Sequence, residues 1–225
     1  MAQLSSPHLS LRTPAPLCSG SPSERFAWPW AICQWIPGTP GDEHDAPDEA
    51  SARAMAAFLR ELHRDAPDNA PRNPWRGVAL SERSRDVVER VHALNVNADP
   101  ILELWSRACA APRWAYEARW LHGDFHPGNM IYRDGALVGV VDFGDICAGD
   151  PATDLSGGLL ALDAPRLAAF FDSYGPLDEP TLWRTIGWAV NFGLIMTALG
   201  ERDRPRYAAV GRRALANAGY VASLV

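Results

Sequence analysis

The amino-acid sequence predicts an α+β protein: a mostly helical body around one small β-hairpin, with a short strand-bearing segment ahead of it. Three observations carry this. From about residue 38 onward, apolar residues recur at helical spacing in one stretch after another. Between Met130 and Val141, two apolar runs flank Asp134-Gly135, a pair that favours a tight hairpin turn. Near the start, Phe26–Ile36 (FAWPWAICQWI) is rich in aromatic and β-branched residues, which suit a strand.

In chain order, residues 1–25 are rich in Ser and Pro and read as a loop or frayed start. The strand over Phe26–Ile36 follows, with Pro29 marking its beginning or an edge, and Pro37-Gly38-Thr39-Pro40-Gly41 ending it. Residues 15–19 offer it only a short partner. Asp48–Arg64 is a helix: Met55, Phe58, Leu59 and Leu62 share one face, and Asp48-Glu49 suits its N-terminal end. A Pro-rich connection spans 65–80. Helices are expected over 81–95 and 99–110, the second with Pro100 in its first turn. After the hairpin, helices are expected over about 150–162, 165–174, 179–199 and 204–224; the stretch 179–199 is mostly apolar and so belongs deep in the bundle. This divides the chain into a strand-bearing segment, residues 1–37, and a helical body, residues 38–225.

Composition narrows the function. The 225 residues carry a net charge of −6, against the basic face of a nucleic-acid binder. Every one of the 21 basic residues is Arg, so no chemistry here uses a lysine. Cys18, Cys33, Cys109 and Cys147 form no CxxC, which argues against a zinc site or a disulfide framework. No apolar run approaches the roughly 18 residues of a membrane span. No secretory signal pattern opens the chain, and a cytoplasmic protein without membrane partners is expected.

The chemistry concentrates in residues 121–145, LHGDFHPGNMIYRDGALVGVVDFGD. A hairpin centred on Asp134-Gly135 folds Asn129, at the start of one strand, toward Asp142, at the end of the other, with Asp124 in the preceding loop. A loop carboxylate such as Asp124 can accept a proton from an attacking hydroxyl. Asn129 and Asp142 supply oxygens suited to Mg²⁺, which neutralises charge on transferring phosphate. Singly, Asp124 and Asn129 are also ordinary turn and capping residues. His122, Asp124 and His126 read HxDxH, which suits a metal hydrolase. The other histidines (His8, His44, His63, His92) are scattered, however, and that reading leaves Asn129 and the hairpin without a task.

Residues 121–155, LHGDFHPGNMIYRDGALVGVVDFGDICAGDPATDL, resemble the aminoglycoside phosphotransferase family of kinase-like enzymes. The shared signature is HGDxxxxN, then DFG, then GDPxxDL. More loosely, WPWAICQWIPG is similar to the family's last N-lobe strand and hinge, and FLRELH to its first C-lobe helix. The resemblance implies a protein-kinase-like fold: a helical C-lobe with a small catalytic hairpin and a remnant of the N-lobe sheet. It implies ATP and Mg²⁺ as cofactors and a small-molecule hydroxyl as phosphate acceptor. It makes Asp124 the catalytic base and Asn129 and Asp142 the Mg²⁺ ligands. The backbone of Gln34, Trp35 and Ile36 would face the adenine, and Ile131 and Val141 would floor the nucleotide pocket. Asp150 and Asp154 would be supporting residues that cap the next helix and brace the catalytic loop, and His122 would pack behind that loop.

The family pattern is not met everywhere. About 30 residues precede the hinge, with no Gly-rich loop before a strand and no Lys; Arg12 and Arg25 are the basic residues there. Most of the N-lobe is therefore expected to be missing, which leaves a non-catalytic remnant or binding domain of the same fold as the alternative. Trp28, Trp30 and Trp35 on an unpaired sheet edge predict self-association through this strand.

Overall fold

The computed structural model describes residues 9–43 and 47–225. His8 and His44, counted above among the scattered histidines, lie outside the described residues.

Strand β1 (Pro16–Gly20) pairs antiparallel with β2 (Trp30–Cys33). The strand expected over Phe26–Ile36 is thus shorter: Pro29 limits its N-terminal extension, and the short partner offered by residues 15–19 is β1, long enough to pair with all of it. Residues 10–12 are anchored as well. Arg12 bridges Gly139 in parallel, and the backbone N–H of Ser10 donates to Glu61 Oε2 at 2.5 Å.

The Pro37–Gly41 stretch does more than end a strand. It forms β3 (Thr39–Pro40), which joins β5 (Met130–Arg133) and β6 (Ala136–Val140) in a three-stranded sheet ordered β3-β5-β6. The β5–β6 hairpin turns as the sequence predicts: Asp134 and Gly135 both take positive φ, 53° and 82°. Two left-handed residues in succession match the right-handed twist of the flanking strands. A third small sheet pairs β4 (Arg119–Leu121) with β7 (Cys147–Gly149), neither of which the sequence marks. Each strand is too short for alternation to show.

The helices are α1 (Glu49–Leu62), α2 (Ser84–Ala93), α3 (Ala98–Ala110), α4 (Ala152–Ala161), α5 (Ala164–Tyr174), α6 (Glu179–Arg202) and α7 (Pro205–Ala222). Asp48 caps α1 by accepting from the Ser51 N–H at 2.8 Å, and Met55, Phe58, Leu59 and Leu62 are buried on one face. The long α6 is buried over most of its length and packs against α3, α4 and α7, so it is the axis of the helical body. No described helix is long and apolar enough to cross a membrane.

The β4–β7 pair sets the site. In its register Arg119 faces Gly149 and Leu121 faces Cys147. The loop leaving β4 (His122 onward) and the loop entering β7 (Asp142 to Ile146) therefore emerge at the same end.

Candidate active site

Asp124 sits in the loop between β4 and β5, and its position is determined from three sides. Its own N–H donates to His122 Nδ1 at 3.2 Å. Asn129 Nδ2 donates to its backbone oxygen at 2.9 Å and to its Oδ2 at 3.4 Å. His126 Nε2 lies 3.3 Å from the same Oδ2. The tautomers follow from these bonds. His126 Nδ1 accepts from the Gly128 N–H at 3.1 Å, so its Nε2 carries the hydrogen that goes to Asp124. His122 Nδ1 accepts from Asp124, so its Nε2–H donates to the Val141 carbonyl at 2.9 Å.

The electrostatics agree. Burial pushes the His122 imidazole below its usual range, so it is neutral at pH 7. Burial acts on the Asp124 carboxyl in the opposite sense and raises it. The hydrogen bond from His126 and the positive charge of Arg76 outweigh that and hold it below the usual carboxylate range. Asp124 is an anion at neutral pH.

The ends of the hairpin meet as the turn requires. Met130 faces Val140, and one step further the Val141 N–H donates to the Asn129 carbonyl at 2.9 Å. Asp142 follows directly, in the left-handed conformation at φ 63°, ψ 66°. For a residue with a Cβ this costs roughly 1–2 kcal/mol. The strain turns its exposed carboxylate out of the strand line, where Oδ1 accepts from the Gly144 N–H at 3.3 Å. Among the described residues no cluster of three His, Cys, Asp or Glu side chains forms a metal cage. Mg²⁺ does not require one, because it is held by one or two protein oxygens together with substrate phosphates and water. Asn129 directs its Nδ2 at Asp124, which leaves its amide oxygen for a hard cation. Asp142 retains a second carboxylate oxygen. The donor set fits.

Behind the loop, Asp154 of α4 accepts from the His122 N–H at 2.6 Å and from the Gly123 N–H at 2.9 Å. Asp150 accepts from the Ala152 N–H at 3.0 Å and pairs with buried Arg184 Nε at 2.7 Å. Of the residues assigned to the nucleotide, Ile36 and Ile131 come together. Ile131 pairs with Gly139, over which Ile36 packs so closely that a Cβ there would meet Ile36 Cγ2 at 2.9 Å. Val141 is half-buried two residues beyond Gly139, whereas Gln34 and Trp35 lie exposed beyond the end of β2.

Four contributors are not among the site residues expected from the sequence. Arg76 and Asn73 come from the long connection between α1 and α2: Arg76 Nη2 reaches Asp124 Oδ1 at 3.4 Å and Asp145 Oδ2 at 3.2 Å, and Asn73 Nδ2 donates to Asp145 Oδ1 at 3.0 Å. His63 and Tyr174 extend the brace behind Asp154, with His63 Nε2 at 3.2 Å from Asp154 Oδ2 and His63 Nδ1 at 2.9 Å from the Tyr174 hydroxyl. Their distance in sequence from the motif hides them.

Known proteins are similar to this chain. The chain is 30% identical over 212 residues to the viomycin phosphotransferase of Streptomyces vinaceus, covering 81% of this chain and 63% of that protein. It is 28% identical over 165 residues to an aminoglycoside 3'-phosphotransferase of Escherichia coli, covering 68% of this chain and 60% of that protein. The chain thus spans under two thirds of the length of these curated relatives. Among solved structures, the GDP complex of aminoglycoside 2'-phosphotransferase-IIIa superposes with a TM-score of 0.58 at 18% identity, covering 94% of this chain and 77% of that one. The apoenzyme of macrolide 2'-phosphotransferase from Brachybacterium faecium gives 0.56 at 20%, covering 93% and 75%. The fold is the kinase-like fold of these enzymes. The model of the phosphotransferase enzyme family, APH, matches residues 1–188, which include the Asp124 loop, the hairpin and the brace from Asp154, and the chain belongs to that family.

Proposed function

We propose that this chain carries out phosphoryl transfer from a nucleoside triphosphate, ATP by preference, to a hydroxyl of a small molecule, with Asp124 as the base. The observation that carries this is Asp124 itself: an anionic carboxylate, aimed by His126 and Asn129, beside a hairpin end that presents Asn129 and Asp142. The acceptor hydroxyl gives its proton to Asp124 while its oxygen bonds to the γ-phosphorus. The bond from that phosphorus to the β–γ bridging oxygen breaks, and the nucleoside diphosphate leaves. Asn129 and Asp142 would hold Mg²⁺, which when bound neutralises charge on the phosphate oxygens. Ile36, Ile131 and Val141 supply an apolar floor for the base, with the backbone of Gln34 and Trp35 at its edge. Residues 1–37 contribute that edge and residues 38–225 the catalytic groups. Use of a cytoplasmic nucleotide supports a cytoplasmic location. The exposed apolar β1–β2 hairpin supports association with a second copy of the chain.

The relatives are named for viomycin, aminoglycosides and macrolides. The test is therefore nucleoside diphosphate release from Mg²⁺-ATP or Mg²⁺-GTP in the presence of viomycin, kanamycin or a macrolide. Acceptor-dependent release that Asp124→Asn abolishes is the expected result; equal release from both proteins refutes the assignment of the base. Micromolar nucleotide binding with no transfer to any acceptor favours the non-catalytic binding domain, which the absence of lysine also suits.

A further inference from the structure

Arg76 is placed in a way that neither packing nor an ordinary ion pair explains. Arginine usually grips one carboxylate with two parallel N–H groups at about 2.7–2.9 Å. Here a single nitrogen, Nη2, stands between two carboxylates, 3.4 Å from Asp124 Oδ1 and 3.2 Å from Asp145 Oδ2. The guanidinium lies over the Phe192 ring of α6, 5.0 Å from its centroid. Its Nε is buried and has no hydrogen-bond partner among the described residues.

The backbone under Arg76 is fixed. Ala148 N–H donates to the Pro71 carbonyl at 2.9 Å and Asp150 N–H to the Gly77 carbonyl at 3.2 Å, so segment 71–77 is laid along β7. Gly77, at φ +67°, donates its N–H to Thr153 Oγ1 at 3.1 Å. A Cβ on Gly77 would meet Gly149 Cα at 2.9 Å, and one on Gly149 would meet Gly77 Cα at 2.6 Å, so the two chains touch through glycine alone. Asn73, on the same segment, holds the other oxygen of Asp145.

We propose that Arg76 is a positioning residue for the Asp124 base, tying the catalytic loop to the loop that carries Asp142 and Asp145. The inference rests on the phosphotransferase reading and deepens it. Asp124 Oδ2 is occupied by His126 and Asn129, so the orientation of the carboxylate depends on what Oδ1 meets. Without the cation, Asp124 and Asp145 repel each other and Oδ1 loses its partner. A base displaced by a fraction of an ångström loses its alignment with the acceptor proton, whereas a nucleotide held elsewhere in the cleft does not feel the change.

The test uses the full chain with Arg76→Met, which keeps an unbranched side chain of similar reach and removes the donors, and Arg76→Lys, which keeps the charge. With Mg²⁺-ATP and the acceptor found above, kcat of the Met variant is expected to fall about 10- to 100-fold, the scale of a misplaced reacting group. The nucleotide KM stays within about twofold. Lys restores part of the rate, and so does guanidinium ion added to the Met variant. Unchanged kcat in the Met variant, or a loss confined to KM, overturns the proposal. A second readout needs no turnover: melting temperatures of Arg76→Met, of Asp145→Asn and of Asp124→Asn, and of each pair combined. Non-additive shifts are expected, and additive ones overturn the proposal. If the wild-type chain transfers phosphate to no acceptor, that failure falls on the phosphotransferase reading, and the melting cycles still decide the placement of Arg76.

Discussion

Asp154 Oδ2 lies 2.6 Å from the backbone nitrogen of His122 and takes its hydrogen. The other oxygen takes the Gly123 N–H, and His63 approaches from behind. Asp154→Ala leaves both buried N–H groups without acceptors, and each such orphan costs about 1–3 kcal/mol. The expected loss in urea denaturation is about 2–6 kcal/mol. A change under about 0.5 kcal/mol would mean that the loop is held by something else.

Asp142 and Asn129 make a claim about Mg²⁺ that calorimetry can read. ATP titrated into the wild-type chain is expected to bind more tightly with Mg²⁺ than without. Asp142→Ala removes that increment, by about tenfold or more, and leaves Mg²⁺-free binding unchanged. Equal Mg²⁺ dependence in both proteins would exclude Asp142 as a ligand.

Two glycines separate backbone strain from steric contact. Gly135, at φ +82° with nothing near an added Cβ, should lose about 1 kcal/mol as Ala, from conformation alone. Gly149→Ala drives a methyl to 2.6 Å from the Gly77 backbone and should lose more, about 1–3 kcal/mol or beyond. Chemical denaturation of the two variants gives the order, and the reverse order would contradict this packing.

The cap of α6 titrates in a definite direction. Hydrogen bonds from Thr181, its side chain first and its N–H second, outweigh burial and hold the Asp178 carboxyl below its ordinary value. A group whose folded pKa is depressed contributes fully above its unfolded pKa, about 3.9, and loses that contribution as pH falls through the folded value. Asp178→Ala should therefore cost about 1 kcal/mol at pH 7. The gap to wild type should narrow below about pH 4. A gap constant from neutral to strongly acid pH would show that the carboxylate charge contributes nothing.

Trp28 and Trp35 are 71% and 80% exposed, and Leu17, Phe26, Trp30 and Ile32 are exposed around them. Each aromatic ring offers about 150–250 Å². Together these side chains approach the roughly 800 Å² per partner of a standard interface. Light scattering behind size exclusion is expected to show a concentration-dependent dimer that the triple change Trp28→Ser, Trp30→Ser, Trp35→Ser abolishes. A monomer at every concentration would remove the second copy as the occupant of this surface.

What the sequence made legible was whatever is local. The Asp134-Gly135 turn, the face of α1 through Met55, Phe58, Leu59 and Leu62, and the proximity of Asn129 and Asp142 all follow from spacing alone. What it hid was non-local. β4 and β7 have three residues each and gain meaning only from each other. Pro40 looks like a terminator because proline cannot donate to a ladder, yet it sits in β3 at the edge of the sheet, where no donor is needed. Arg76 lies in a Pro-rich connection with no periodicity, and the backbone bonds and glycine contact that lay this segment along β7 carry it to Asp124.

Gly139 is where three distant stretches of the chain meet: Arg12 bridges it, Ile36 packs over it and Ile131 pairs with it. The same geometry orders the assembly in time. The hairpin between Ile131 and Gly139 closes a short loop and can form early, whereas the parallel bridge from Arg12 closes a loop of more than a hundred residues at a much higher entropic cost. During synthesis residue 12 leaves the ribosome long before residue 139 exists, so the contact between Arg12 and Gly139 cannot form until the second strand of the hairpin has been made. The sheet edge at Gly139 is therefore complete only when both ends of that long loop have met.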